Sequence, residues 1–220
     1  MLKGITGNRL VNMTPQEMRW FDNMKKAFLK SDQAITNGTF DDDCLEQQFR
    51  AIDTAKTLRR SLLGEPVDDQ DNKRRFIHFI NLEIPTPDRG GLDIELADSR
   101  TLKTKRYSFA ELVYAIRCMI HENENLNVTE GTDYHILIDW TKPRSGGFGH
   151  IESKRFVCNG FILANRLREI LAKFVTGIDG LRAFEQGQGF MVTISPPMGS
   201  INPTRKTAGF GRAGLASPNS

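Results

Sequence analysis

The chain has 220 residues, 39% apolar and 26% charged, with a net charge of +3. That length suits one domain with a tail, and the composition is globular. No apolar run is long enough to cross a bilayer, and residues 1–12 lack the continuous apolar core of a secretory signal.

Three cysteines, Cys44, Cys118 and Cys158, lie far apart. No Cys-x-x-Cys or Cys/His spacing suggests zinc, so no metal or other cofactor is expected. Sparse, odd thiols fit a reducing compartment, and the reading is a cytoplasmic protein with no membrane partner. From residue 195 onward the chain has Arg205, Lys206 and Arg212 and no acids. The remainder is therefore neutral, and bulk charge gives no argument that it binds nucleic acid.

Thr14-Pro15-Gln16-Glu17 predicts a capping box opening a helix through Met18, Phe21, Met24, Phe28 and Ile35, stopped by Asn37-Gly38. Asp41 to Asp43 open a second helix, with a stripe of Leu45, Phe49, Ile52, Ala55 and Leu62, ended by Gly64-Glu65-Pro66. The short connection predicts an antiparallel hairpin. An acidic loop, Val67 to Asp71, precedes Lys73 to Ile84, read as a short helix although its spacing also allows a strand. Within it, His78 reads as a partly buried core histidine. Leu92 to Leu96 alternates like a strand.

Ser108-Phe109-Ala110-Glu111 is a second capping box, launching a helix through Leu112, Val113, Ile116 and Ile120. Tyr134 to Trp140 reads as a strand, followed by the glycine-rich loop Lys142 to His150. A long helix is expected from about Phe156 to Thr176. Phe190 to Ile194 is expected to be a strand pairing with Tyr134 to Trp140. The expected architecture is mainly α (α+β): a helical bundle over residues 1–194 with a small two- or three-stranded element. Residues 195–220 are expected to form a flexible Pro/Gly/Ser-rich tail.

The chemistry concentrates in Tyr114-Ala115-Ile116-Arg117-Cys118-Met119-Ile120-His121. Arg117 and His121 are four apart on a predicted helix and share a face; Tyr114 and Glu124 extend that polar stripe. A guanidinium offers a donor fork to phosphate, and an imidazole moves protons near neutral pH. Together they suit cleavage of a phosphodiester, with Arg117 steadying the pentacovalent phosphorus. The bland alternative is an Arg/His pair on a solvated helix end.

Ile116-Arg117-Cys118-Met119-Ile120-His121-Glu122, late in a helical bundle, resembles the HEPN superfamily. Its members are small, often dimeric helical domains, many of them metal-independent ribonucleases of toxin–antitoxin, phage-defence or RNA-processing systems. The resemblance implies an endoribonuclease, a hydrolase acting on RNA, with Arg117 and His121 catalytic, Tyr114 and Glu124 supporting, and the site completed in a homodimer. An antitoxin or other protein partner would follow. Many members are non-catalytic, so a module binding a partner protein or RNA is the alternative, and a purely structural helical domain is a third.

Lys142 and Arg144 in the glycine-rich loop are candidate phosphate or RNA contacts beside that face, against the simpler reading of a surface turn. Lys73-Arg74-Arg75 and Lys103-Thr104-Lys105-Arg106 are basic clusters, each most simply a solvated face or loop.

Overall fold

A computed structural model describes residues 2–67, 71–83, 94–97, 104–122, 135–141, 147–152 and 155–186. All of them lie in the first unit of the chain, Met1–Phe190. The expected boundary after residue 194 and the tail fall outside the described residues. The architecture is mainly helical with small β elements. No described helix is long and apolar enough to cross a membrane.

A short helix α1 (Gly7–Val11) precedes α2 (Pro15–Thr36) and α3 (Asp42–Leu62). The capping box that opens α2 is present: Thr14 Oγ1 accepts from Glu17 N at 3.2 Å, and Glu17 Oε2 accepts from Thr14 N at 2.8 Å. Glu17 has a further task that sequence spacing did not show. Arg9 of α1 donates to both its oxygens, at 3.0 and 2.5 Å, and Ser61 of α3 donates at 2.6 Å. The carboxylate is 1% exposed, yet every lone-pair direction that matters is filled. Burial alone would raise its pKa, but the hydrogen bonds from Arg9, Ser61 and Thr14 outweigh it and hold the group at about 2.

Asp41 caps α3, its Oδ1 accepting from Cys44 N at 2.8 Å. Helices α2 and α3 make the largest helix–helix contact, with Phe21, Met24 and Phe28 facing Leu45, Phe49 and Ile52 in one continuous core. Helix α4 (Asn72–Glu83) confirms the helical reading of that stretch over the strand. Its buried residues, Phe76, Phe79 and Ile80, recur at i, i+3 and i+4. Helix α5 (Phe109–Glu122) packs on α3 and α4.

The β structure is richer than the sequence reading. Strand β1 (Ile94–Ala97) overlaps the expected strand, whose first two residues fall outside the described ones, and pairs antiparallel with β2 (Thr104–Tyr107). Residues 104–106, read as a basic loop, are thus part of a hairpin strand. A separate three-stranded sheet has the order β3 (His135–Asp139), β5 (Arg155–Asn159), β4 (Gly149–Glu152). Strand β3 runs parallel to β5, and β4 antiparallel to it. The segment Phe190 to Ile194, expected to pair with β3, lies outside the described residues.

Two boundaries need correction. Phe156, Val157 and Cys158 are buried strand residues, and the last helix, α6, runs from Gly160 to Glu185. A short run of apolar and β-branched residues reads equally as buried strand or helix, and the cap decides. Asn159 supplies it, its side chain accepting from Ile162 N at 3.2 Å. Gly160 then lies against Trp140, where an added Cβ would come within 2.5 Å of the indole ring. The far end extends past Thr176 because Ile178 continues the buried stripe.

Helix α6 is the centre of the bundle, touching α1, α2, α3, α4 and β5. Gln48 on α3, fully buried, donates to the carbonyl of Ala164 at 2.8 Å. Lys25 of α2 pairs with Asp179 at 2.7 Å, and Arg168 pairs with Asp32. The sheet is tied to the start of α5 by packed rings, Phe109 edge-on to Phe148 at 4.8 Å and Phe148 tilted on Phe156 at 6.0 Å. All three cysteines are free and buried.

Candidate functional site

Helix α5 positions the candidate residues. Phe109, Leu112, Val113 and Ile116 are buried and fix its roll. Tyr114, Arg117 and His121 then fall along a neighbouring stripe, half-buried rather than solvated. Helices α3 and α4 wall that stripe, so all three side chains meet their own chain.

Arg117 Nε donates to Asp53 Oδ2 of α3 at 2.8 Å. The Arg117 side chain is only 14% exposed. Its guanidinium lies 5.8 Å from the ring centroids of both Phe76 and Tyr114. Those two rings meet edge to face at 5.5 Å. Lys56 of α3 reaches the same carboxylate at 3.2 Å and also donates to Asn72 of α4. Asp53 therefore holds two cations, and the group links α3, α4 and α5. Burial opposes the charge on Arg117, but Asp53 and the Cys118 sulfur overcome it and raise its pKa further. Burial lowers the pKa of Lys56, against the pull of Asp53.

His121 lies one turn beyond Arg117, its ring edge-on to Phe49 at 6.2 Å. Its Nε2 is buried and has no hydrogen-bond partner among the described residues. Burial and the positive charge of Arg117 lower its pKa, outweighing Asp53 and Glu46. Both effects favour the neutral imidazole.

The structure brings Tyr114, Arg117 and His121 together, as the helical spacing requires. What spacing could not show is that Asp53 completes the group from 64 residues earlier in the chain. Asp53 has only its place on the polar edge of the α3 stripe to mark it. Glu124, Lys142 and Arg144 lie outside the described residues. Among the described residues no group of three His, Cys, Asp or Glu side chains is arranged to hold a metal.

A second feature adjoins the first through Lys56. A cleft of about 530 Å³ opens between α3 and α4. His78, expected to be a core histidine, is exposed and lines it. Phe76, Phe79 and Ile80 define the buried side of α4, and His78, two residues after Phe76, points away from it. No family model, characterised protein or solved structure compared with the chain matches it.

Proposed function

We propose that the chain is a non-catalytic, HEPN-like helical module that binds RNA. The observation that carries this reading is the placement of Arg117. Its guanidinium is bound by Asp53 and flanked by Phe76 and Tyr114, so its charge serves the α3–α4–α5 junction. A catalytic arginine must instead aim its donors at the place where phosphate charge develops. The resemblance supplies RNA as the partner. The exposed Lys73 and Arg74 of α4 supply cations for its backbone.

One observation favours the ribonuclease reading as the second. The lowered pKa of the half-buried His121 favours the neutral form that a general base needs, and its Nε2 has no partner among the described residues. In that reading a homodimer would complete the site, and an antitoxin would restrain it.

The test pairs binding with cleavage. Fluorescence anisotropy with labelled tRNA and single-stranded RNA measures the first, and gels of total RNA with and without EDTA measure the second. Binding without cleavage supports the module. EDTA-resistant cleavage that disappears in folded His121→Ala overturns it in favour of the ribonuclease. Neither binding nor cleavage sinks both readings.

A further inference from the structure

The charge of the body is neutral in sum but segregated in space. Lys56, Arg59 and Arg60 stand at i, i+3 and i+4 on α3, one face of one helix. Arg74 and Arg75 stand opposite them on α4, and all five line the cleft. Two carboxylates, Glu65 and Asp71, share the lining. Glu65 is already engaged by Arg60, at 3.3 Å. Asp71 opens α4 with a φ of 59°, its carbonyl accepting from Arg75 N at 3.0 Å.

Arg59 is the telling member. Its Nε is buried and has no hydrogen-bond partner among the described residues. A buried donor of a charged group left unmatched is unfavourable, and each such group in a fold calls for an explanation. Neither Arg59 nor the exposed Arg74 forms an ion pair with the described residues.

We infer that this cleft is a binding site for a compact anion carrying two or more adjacent phosphates, of the size of a nucleoside diphosphate. Guanidinium forks on opposite walls can each take a pair of phosphate oxygens, which a single carboxylate could not satisfy. The concave volume lies within the range of small-ligand sites, roughly 300–1,000 Å³. The inference goes beyond the RNA-module reading: it shares Arg74 with that reading but needs neither a strand nor the Arg117 face. Anion binding would also relieve the repulsion that Arg75 exerts on Lys56 across the cleft.

Calorimetry on the full chain decides it, with pyrophosphate, ADP and a short oligouridylate as the three probes. Arg59→Gln and Arg74→Gln are the cleft variants; Arg74 is exposed, so its change leaves folding intact. Lys30→Gln, on the exposed side of α2, is the control. The expected result is binding of pyrophosphate and ADP, weakened roughly tenfold by each cleft variant, unaffected by the control and reduced by salt. No binding of either, or equal binding by the cleft variants, overturns the inference. Oligouridylate binding that needs Arg59 and Arg74, with no ADP binding, also overturns it and gives the cleft to an RNA strand.

Discussion

Arg117 Nε donates to Asp53 Oδ2 at 2.8 Å, joining α5 to α3 with both side chains about three-quarters buried or more. An ion pair so placed matters most through what is left when one partner goes. Removing the arginine leaves Asp53 with Lys56 alone, and removing the aspartate leaves a half-buried guanidinium between two rings.

Arg117→Ala is therefore expected to destabilise the fold by about 2–4 kcal/mol, and Asp53→Asn by a similar amount. Urea titration of both single variants and the double variant gives the coupling. Strong coupling, with the double variant no worse than either single, fits a structural pair. A negligible loss in Arg117→Ala would return the arginine to the catalytic reading.

His121 reports the same pair through its titration. Its folded pKa is lowered, by burial first and by Arg117 second. The sign follows: neutral His121 contributes stability above the unfolded value, lost as pH falls through the lower folded value. Removing the Arg117 charge should move the His121 pKa upward in an NMR titration of Arg117→Gln. No change, or a further fall, would mean that Asp53 outweighs Arg117 at this imidazole.

Glu17 makes the fold acid-sensitive. Its folded pKa is depressed from 4.5 to about 2. The stability it provides is complete above the unfolded value and drains away between about pH 4.5 and pH 2. The depression corresponds to roughly 3 kcal/mol for this buried group. Glu17→Gln should flatten the fall in stability across that window, measured by thermal melts at stepped pH. An unchanged acid profile would place the sensitivity elsewhere.

Gly160 tests the start of α6. A methyl group there would press on the Trp140 ring at 2.5 Å. Gly160→Ala should cost about 1–3 kcal/mol through overpacking, with a blue or red shift of tryptophan emission as Trp140 moves. A stable variant with unchanged fluorescence would show that the indole can step aside without loss.

Local chemistry was legible in residue order. The capping box of Thr14 and Glu17, the acidic start of α3 at Asp41 to Asp43 and the stripes of α2, α3 and α5 follow from backbone geometry within one turn or a few. The sequence could not distinguish strand from helix at Phe156 to Cys158, because three buried apolar residues satisfy either period. It did not show the β1–β2 pairing of residues 104–107, because a ladder joins residues that spacing does not relate. The same limit applied to Glu17, whose cap was readable and whose bond to Arg9 was not.

The sequence by itself determined that Tyr114, Arg117 and His121 share one face, since 3.6 residues per turn requires it. Only the tertiary structure decided what that face meets. Asp53 and Phe76 arrive from α3 and α4 and set the Arg117 guanidinium against a carboxylate and an aromatic ring. The charge pattern divides in the same way. Counting gave a neutral body, while packing α3 beside α4 gathered five cations around one cleft, because the sum of charges carries no record of where folding places them.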